Sequence, residues 1–257
     1  MSVALVTGAA GGLGSAIAAR LAEDHAVLLT DVDAERLADV TAQLATDGAR
    51  LAHTVCDVSE HASVRAAFET AEAQLGEVSL LANVAGVGKF VPFGELTARQ
   101  WDQTFAVNTR GTFLTCQELC RRRAGRPGAI VNIASIGARL GMDVLADYGP
   151  SKAAVIELTH VVSRVGAPTG LRANAVMPGL IWTDMWQKTS EWLLENDPAH
   201  AGSSAEQIFM GFVESLVPMG RPQTTEDIAD MVAFLLSDRA GNVTGQTISV
   251  DGGVVLT

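Results

Sequence analysis

Short apolar runs alternate with longer segments of helical periodicity along most of the chain. Seven of these runs predict β-strands: ALVT (4–7), AVLLT (26–30), LAHTVC (51–56), SLLANV (79–84), AIVNIA (129–134), RANAVM (172–177) and TISVD (247–251). Between them, stretches such as GSAIAARLAE place apolar residues at i, i+3, i+4 and i+7, which predicts amphipathic helices. The strand runs are almost continuously apolar, so we expect helices on both faces of a parallel, doubly wound α/β sheet.

The chain shows no break in composition and no linker. The sequence therefore predicts one domain over residues 1–257, with a Rossmann-type, seven-stranded parallel sheet flanked by helices. One segment, at about residues 182–218, interrupts the alternation and contains Trp182, Trp186 and Trp192. It is either a helix pair that packs for structural reasons or a small helical lid over an apolar substrate pocket, and we favour the lid.

The acidic balance of the chain argues against nucleic-acid binding. With 29 acidic and 18 basic residues, the formal net charge is −11, which repels a phosphate backbone. No apolar run reaches the roughly 18 residues that span a bilayer, and the N-terminus lacks the pattern of a signal peptide. We therefore expect a cytoplasmic protein without a membrane partner. The three cysteines and five histidines show no metal-ligand spacing, so no metal is expected.

A glycine-rich loop, TGAAGGLG (7–14), lies between the first strand and the first helix. Gly8 permits a sharp turn out of the strand, Gly12 lets the backbone approach a diphosphate, and Gly14 allows the helix to pack closely on the sheet. The helix N-terminus around Leu13 offers free N–H groups and a partial positive charge to phosphates. In this strand–loop–helix context, the glycine spacing predicts a dinucleotide site.

The second strand leads into Asp31, seventeen residues beyond Gly14. A carboxylate at this position accepts hydrogen bonds from ribose hydroxyls, and it also repels a 2′-phosphate. Two unit charges at about 4 Å cost roughly 4 kcal/mol in a surface-like dielectric. The next residue is Val32, so no cation adjacent in sequence offsets this cost. Asp31 and Val32 therefore predict NAD in preference to NADP.

The segment YGPSK (148–152) places Tyr148, the only tyrosine of the chain, four residues before Lys152. At this spacing on a helix, the phenol and the ammonium share one face. We expect the ammonium to lower the pKa of the phenol from its usual value of about 10. Tyr148 is then suited to exchange a proton with an alcohol or alkoxide while a nicotinamide carries the hydride.

Two further polar residues are candidates for the same site. Ser135 follows a predicted strand, where a strand-end hydroxyl is placed to polarise a substrate oxygen. Asn108, in FAVNTRG, lies in a predicted helix, although asparagine disfavours helix interiors. We expect Asn108 to hold a water that links Lys152 to solvent.

The motifs of the whole chain together resemble one known family. They are TGAAGGLG, Asp31, CDVS (56–59), NVAG (83–86), Asn108, Ser135, YGPSK, MPGLIWT (177–183) and TGQTISVDGG (244–253). This set is similar to that of the classical short-chain dehydrogenase/reductase family. The visible departure is Val84, where the family commonly has a second asparagine.

The resemblance implies roles for individual residues. It implies a catalytic tetrad of Asn108, Ser135, Tyr148 and Lys152, in which Lys152 also holds the nicotinamide ribose. The cofactor contacts that it implies are Asp57 and Val58 at the adenine, Asn83, Ala85 and Gly86 at the adenosine ribose, Pro178 and Gly179 at the nicotinamide, and Thr183 at the carboxamide or diphosphate. Because the family is usually tetrameric, we also expect a homotetramer.

The substrate is predicted less sharply than the cofactor. The expected pocket residues are Ser135, Gly137, Met142, Tyr148, Gly179, Leu180, Met185 and Trp186. Lys188 is the only lysine or arginine of the lid segment, which favours a neutral substrate of modest apolar bulk. The PGLIWTDMW segment (178–186) resembles that of family members that act on small diols, acyloins and polyols. Two alternatives stay open: a 3-oxoacyl thioester reductase of the same family, and a non-catalytic dinucleotide-sensing module on the same fold.

Overall fold

Seven parallel strands form a single sheet at the centre of the protein. The structure is a computed structural model that describes residues 2–45 and 48–256. The strands are β1 (Val3–Thr7), β2 (Ala26–Asp31), β3 (Leu51–Val55), β4 (Val78–Asn83), β5 (Gly128–Ile133), β6 (Leu171–Pro178) and β7 (Thr247–Val250). Their order across the sheet is β3-β2-β1-β4-β5-β6-β7. Each predicted apolar run overlaps one of these strands, and the predicted parallel, doubly wound sheet is confirmed.

Helices connect the strands and cover both faces of the sheet. They are α1 (Gly12–Ala22), α2 (Ala34–Leu44), α3 (His61–Gln74), α4 (Ala98–Phe105), α5 (Thr112–Arg123), α6 (Gly137–Leu140), α7 (Tyr148–Gly166), α8 (Asp184–Asn196), α9 (Ala205–Leu216) and α10 (Thr225–Leu236). A π-helical segment, Ala106–Gly111, joins α4 to α5 without a break. Within the part of the chain that the structure describes, none of the helices has the length and hydropathy of a membrane-spanning segment.

The core has two layers, one on each side of the sheet. On one face, Ile17 of α1 and Val232 of α10 pack with the strands and are fully buried. On the other face, Phe68 of α3, Leu119 of α5 and Val162 of α7 form a second buried cluster. Since both faces are covered, the strands have few positions for polar residues, which explains their continuous apolar runs.

The connections from β1 determine where a ligand can bind. β1 pairs with β2 on one side and with β4 on the other, so the chain leaves the centre of the sheet in two opposite directions. In such sheets a crevice opens at the carboxyl ends of the strands that flank this point. The glycine-rich loop after β1 and the loop after β4 both lie at this crevice.

The predicted insertion at 182–218 consists mainly of α8 and α9, which pack against each other. The ring of Trp186 on α8 lies 5.3 Å from that of Phe209 and 5.6 Å from that of Phe212, both on α9. Phe209 and Val213 are buried in a small cluster beside the carboxyl end of the sheet. The helices are therefore present as expected, and a lid movement of this segment stays a prediction.

Candidate active site

The glycine-rich loop is built for close backbone contact. Gly8 has φ +68°, and a Cβ there would lie 2.8 Å from the Ala85 backbone. A Cβ on Gly14 would lie 2.0 Å from the Gly8 carbonyl oxygen, so helix α1 and the loop touch at this point. At Gly12, by contrast, no atom lies within 4 Å of a Cβ. The loop therefore leaves open space beside Gly12, whereas Gly8 and Gly14 pack tightly against neighbouring backbone.

The first turn of α1 faces this open space with its N–H groups. Gly12, Leu13 and Gly14 all line a cleft of about 290 Å³ at the carboxyl edge of the sheet. The N-cap residue is Gly11, which has no side chain to accept hydrogen bonds from the first turn. An uncapped helix N-terminus in a cleft suits the oxygens of a diphosphate. The donors and the space present thus fit a dinucleotide.

Asp31 is held beside the same loop. Its Oδ2 accepts a hydrogen bond from the Ala10 N–H at 3.0 Å, and its Oδ1 accepts one from the Asp33 N–H at 3.1 Å. Val32 is exposed. Arg36, which the sequence interpretation did not consider, donates to Asp184 Oδ2 at the start of α8 over 2.9 Å. This hydrogen bond and the charge of Asp184 raise the pKa of Arg36.

Three of the residues predicted to contact the adenosine make hydrogen bonds or packing contacts within the protein. Asp57 Oδ1 accepts hydrogen bonds from the N–H and the hydroxyl of Ser59 at 2.9 and 2.7 Å. Val58 is buried against Gly111, where a Cβ would approach it to 2.7 Å. The Ala85 N–H donates to Thr7 Oγ1 at 3.1 Å. These residues lie at the carboxyl ends of β1, β3 and β4 but outside the cleft lining, so their adenine and ribose contacts stay predictions.

Asn83 belongs to a buried polar chain that the sequence interpretation missed. Its Nδ2 donates to Asn132 Oδ1 at 2.8 Å, and its Oδ1 accepts from Thr115 Oγ1 at 2.7 Å. Asn132 Nδ2 in turn donates to Thr159 Oγ1 at 2.9 Å. These bonds connect β4, β5, α5 and α7. The Asn83 side chain therefore fixes the sheet to its helices, and its predicted ribose contact stays a prediction. Asn132, a polar residue inside an apolar strand, was the sequence signal that could have indicated this buried hydrogen-bonded chain.

Ser135, Tyr148 and Lys152 converge on the cleft. Gly137 lies between the first two, since a Cβ there would be 3.4 Å from Ser135 Oγ and 3.5 Å from the Tyr148 ring. Lys152 is only 4% exposed, and its Nζ donates to the Ile133 carbonyl at 2.8 Å. The same Nζ lies 5.7 Å from the centroid of the Tyr148 ring. The structure thus brings together a hydroxyl, a phenol and an ammonium at one point.

Burial has the largest effect on the pKa values of Tyr148 and Lys152. Burial raises the pKa of the Tyr148 phenol above its usual 10, and a hydrogen bond with Ser135 partly opposes the rise. Burial also lowers the pKa of the Lys152 ammonium from 10.5 to about 8. The expectation that Lys152 lowers the phenol pKa is therefore wrong for the protein alone, because desolvation outweighs the effect of a charge that is bonded to the Ile133 carbonyl. At pH 7 the phenol is protonated.

Asn108 lies in the π-helical segment between α4 and α5, and it is fully buried. Its Oδ1 accepts from the Val87 N–H at 2.8 Å, and its Nδ2 donates to the Val87 carbonyl at 2.8 Å and to Ser151 Oγ at 2.9 Å. A Cβ on Gly86 would lie 3.2 Å from Lys152 Nζ and 3.4 Å from Asn108 Oδ1. Asn108 thus positions the loop after β4 against α7 beside Lys152, and a water between the two stays a prediction.

The start of α7 is fixed by a residue that sequence reasoning did not select. Asp147, directly before Tyr148, is buried and accepts a hydrogen bond from the Tyr148 N–H at 2.8 Å. Its other oxygen accepts from Thr104 Oγ1 at 2.6 Å. Asp147 therefore sets where the helix carrying Tyr148 begins. An aspartate immediately before a helix is a known capping signal, and ADYGPSK contains it.

The loop after β6 forms the far wall of the cleft. Pro178, Gly179 and Thr183 all line it. A Cβ on Gly179 would lie 2.2 Å from Gln223 Oε1, so this wall packs tightly from behind. Thr183 is the N-cap residue of α8, yet its hydroxyl makes no capping hydrogen bond. The Thr183 side chain is therefore available to a ligand in the cleft.

The predicted substrate residues share this cleft. Its lining includes every one of them: Ser135, Gly137, Met142, Tyr148, Gly179, Leu180, Met185 and Trp186. The sequence interpretation missed Phe90 and Thr189, which also line it. Phe90 lies in the loop after β4, for which no motif predicted a substrate contact. Among the described residues, no group of three or more potential metal ligands lies together.

Comparisons with known proteins agree with this architecture. A family model described as enoyl-(acyl carrier protein) reductase matches residues 8–255. D-threitol dehydrogenase of Mycolicibacterium smegmatis is 35% identical over 257 residues, which cover 99% of this chain and 93% of that protein.

Solved structures show the same fold with two cofactors. NAD⁺-bound xylitol dehydrogenase matches with a TM-score of 0.91 and 31% identity, over 98% of this chain and 98% of that one. A variant of actinorhodin polyketide ketoreductase with NADPH also matches with a TM-score of 0.91 and 31% identity, over 98% of this chain and 97% of that one. The fold and the sequence relation therefore leave the choice between NAD and NADP to the residues of the site.

Proposed function

Because the chain belongs to the classical short-chain dehydrogenase/reductase family, we propose that it is an NAD-dependent oxidoreductase that interconverts a secondary alcohol and a ketone. The observation that carries the proposal is the convergence of Ser135, Tyr148 and Lys152 in one cleft with the uncapped N-terminus of α1. The first three groups suit proton exchange with an alcohol, and the fourth suits a dinucleotide.

The residues that would hold the dinucleotide lie along the cleft and its rim. The N–H groups of Gly12, Leu13 and Gly14 face the diphosphate, and Asp31 accepts from the adenosine ribose. Lys152 binds the second ribose, while Pro178, Gly179 and Thr183 border the nicotinamide. A bound nicotinamide supplies hydride transfer, and the protein supplies orientation and the proton.

Tyr148 acts as the proton donor and acceptor. Since burial keeps the phenol protonated at pH 7, Tyr148 is ready to protonate the oxygen of a ketone that is being reduced. Ser135 hydrogen-bonds to the same substrate oxygen and orients it. In the oxidative direction the phenol must first lose its proton, a loss that the hydrogen bond with Ser135 favours. Oxidation therefore accelerates with rising pH.

Asp31 supports NAD as the preferred cofactor. A 2′-phosphate beside this carboxylate would be repelled by roughly 4 kcal/mol per charge at about 4 Å. Arg36, the cation on the following helix, is already paired with Asp184. A 2′-phosphate would have to compete with this carboxylate for the guanidinium. Both features favour a ribose that carries a free hydroxyl.

A small neutral diol, acyloin or polyol is the substrate class that we propose. D-threitol dehydrogenase is similar over nearly the whole chain, and Ser135 and Tyr148 are the polar groups at the reacting end of the cleft. A 3-oxoacyl thioester reductase is the second candidate, since the matching family model carries an acyl-carrier-protein name. The net charge of −11 argues against docking an acidic carrier protein.

We also propose a homotetramer located in the cytoplasm. Phe113 on α5 and Val161 and Val165 on α7 are large apolar side chains exposed on long helices. Such exposed apolar helix faces are suited to symmetric self-association. Light scattering should give about four times the chain mass of 26.9 kDa. A mass near that of one chain would contradict the tetramer.

Absorbance at 340 nm tests the activity directly. Purified protein is incubated with NAD or NADP and a panel of secondary alcohols, and with NADH or NADPH and 3-oxoacyl thioesters. We expect turnover of alcohols with NAD. Turnover restricted to the thioesters would support the second candidate. Tight NAD binding without turnover across both panels would instead indicate a dinucleotide-sensing module.

A further inference from the structure

The substrate end of the cleft is almost without polar groups. Its walls come from Met142 and Leu145 before α7, from Leu180 after β6, and from Met185, Trp186 and Phe212 of the α8–α9 pair. Thr183 and Asp184 lie at the start of α8, and Asp184 is paired with Arg36. Deeper on α8, Thr189 adds a single hydroxyl to the lining. A substrate body therefore meets hydrocarbon, sulfur and aromatic surface on most sides.

Aromatic contacts connect two parts of the fold along this wall, the loop after β4 and the α8–α9 pair. Phe90, from the loop after β4, lies 6.5 Å from Trp186 and 6.2 Å from Trp192 by ring centroids. Trp186 lies 5.6 Å from Phe212 on α9. Rings at these distances and tilted angles attract one another beyond their burial. The wall is thus a connected aromatic surface, against which a flat or branched hydrocarbon packs better than a hydrated chain.

We infer that the substrate carries an apolar body, such as a ring or a branched hydrocarbon, on the carbon that reacts. The inference rests on the proposed function and narrows it to the apolar members of the diol and acyloin class. A polyol would bring several hydroxyls into the cleft, each of which loses water and needs a partner. Ser135 and Tyr148 serve the reacting oxygen and Thr189 can serve one more. Every further buried hydroxyl then costs about tenfold or more in affinity.

Similarity alone does not decide the substrate body, since L-2,3-butanediol dehydrogenase of Corynebacterium glutamicum, whose name specifies an apolar diol, is 32% identical. D-threitol dehydrogenase and xylitol dehydrogenase have names that specify polyols, and they share about a third of their residues with this chain. Substrate walls in this fold come from the segments after β4, β5 and β6, whereas the cofactor residues come largely from backbone turns. A chain can therefore keep the shared chemistry while its walls select a different substrate body.

Three compounds provide a matched test with the wild-type enzyme and NAD. Butane-2,3-diol and threitol share a four-carbon chain and differ by two terminal hydroxyls, while trans-cyclohexane-1,2-diol adds an apolar ring. We expect kcat/KM to fall in the order cyclohexanediol, butanediol, threitol, with threitol about 100-fold or more below butanediol. Threitol turnover equal to or faster than that of butanediol would overturn the inference.

A binding measurement separates this inference from the proposed function. Trp182, Trp186 and Trp192 surround the α8–α9 pair, so their fluorescence reports a ligand there, and Trp101→Phe removes the tryptophan of α4. If no diol is oxidised, the proposed function fails. Cyclohexanone that quenches this fluorescence at least about tenfold more tightly than threitol would still support the apolar pocket. Equal or tighter binding of threitol would contradict it.

A matched pair of variants places the effect in the aromatic wall. Trp186→Ala removes a ring that lines the cleft, whereas Trp101→Ala removes a ring that stacks on Phe105 outside it. For cyclohexanediol we expect kcat/KM to fall about tenfold or more in Trp186→Ala, with a smaller loss for butanediol. Trp101→Ala should leave the ratio of the two substrates unchanged. An unchanged ratio in Trp186→Ala would contradict the assignment.

Discussion

The two ends of the cleft are built by different physical means. At the cofactor end, backbone touches backbone: a Cβ on Gly14 would lie 2.0 Å from the Gly8 carbonyl oxygen, and buried hydrogen bonds of Asn83 and Asn132 fix the strands behind it. At the substrate end, side chains pack on side chains, with ring centroids 5.3 to 6.5 Å apart around Trp186. The first construction tolerates few residue types, whereas the second tolerates many of similar volume.

This difference predicts that substitutions have unequal consequences at the two ends. At Gly8 and Gly14 of the cofactor end, one added methyl group collides with the main chain. At the substrate end, a lost ring is replaced by a smaller side chain or by water. We therefore expect the cofactor end to control folding, cofactor binding and the chemical step, and the substrate end to control which compound reacts.

The largest effect on stability is expected in the glycine loop. Gly14→Ala places a Cβ against the Gly8 carbonyl, and we expect it to lower the free energy of unfolding by at least about 3 kcal/mol. Gly12→Ala is the matched control, because no atom lies within 4 Å of its Cβ. It should keep its thermal midpoint but bind NAD at least about tenfold more weakly, since its methyl group occupies the phosphate space. Equal midpoints for the two variants in thermal unfolding would contradict the comparison.

Lys152→Met should separate activity from stability. Without the ammonium, kcat should fall about 100-fold or more. The buried charge is costly in the folded state, because burial lowers the pKa of Lys152 to about 8. Between about pH 8 and pH 10.5 the unfolded chain holds the proton that Lys152 has lost in the folded protein, so the contribution of Lys152 to stability rises with pH by up to about 3 kcal/mol.

Chemical denaturation at pH 7 and pH 9.5 measures this slope. Relative to Lys152→Met, the parent should gain stability between the two values, and Lys152→Met should be more stable than the parent at pH 7. Lys188→Met, at an exposed position of α8, is the control and should keep the gain relative to Lys152→Met. Cys56, Cys116 and Cys120, whose raised pKa values give the opposite slope in this range, are present in all three proteins and cancel in the difference. Tyr148, whose raised pKa also gives the opposite slope, contributes only above about pH 10. A stability difference between the parent and Lys152→Met that is equal at both pH values would show that burial does not tune this lysine.

Cofactor choice should change by an intermediate amount. Asp31→Ser removes the carboxylate that opposes a 2′-phosphate, and we expect the ratio of kcat/KM for NADP to that for NAD to rise at least about tenfold. Asp184→Asn, which releases Arg36 from its ion pair, should raise the same ratio only a few-fold. Initial rates with both cofactors measure the ratio. If Asp31→Ser leaves it unchanged, the carboxylate does not set the preference.

The smallest effect is expected at the outer wall of the substrate end. Trp192→Leu removes the contact with Phe90, which is worth about 0.5–1.5 kcal/mol. We expect kcat/KM for cyclohexanediol to change less than about tenfold, with NAD affinity unchanged. A loss of NAD binding in this variant would show that the two ends are coupled, against the division proposed here.

The same contrast explains what the sequence could predict. The apolar runs and their turns predict all seven strands because a sheet that is covered on both faces has no other pattern. Gly12 and Gly14 were predictable because backbone geometry restricts their identity, whereas Pro178, Gly179 and Thr183 were predicted from the family resemblance. Phe90 and Thr189 were not, since a wall of packed side chains has no fixed residue pattern.

The directions of the Tyr148 and Lys152 pKa shifts could also be obtained only from the structure. Sequence spacing places Lys152 one turn from Tyr148 and suggests an acidified phenol. The structure shows Lys152 buried and bonded to the Ile133 carbonyl and Tyr148 half-buried in the cleft, and desolvation sets the direction of each pKa. The surroundings of Asn108 could not be predicted from the sequence either, because its π-helical turn and its hydrogen bonds with Val87 and Ser151 follow from tertiary packing.

The central claim is that the Tyr148 phenol exchanges a proton with the substrate. The most direct measurement is the rate of NAD reduction by Tyr148→Phe with the best alcohol, with NAD affinity determined on the same preparation. Phenylalanine keeps the ring and removes the hydroxyl. We predict a rate about 1000-fold or more below that of the parent with NAD affinity unchanged. A rate equal to that of the parent would contradict the claim.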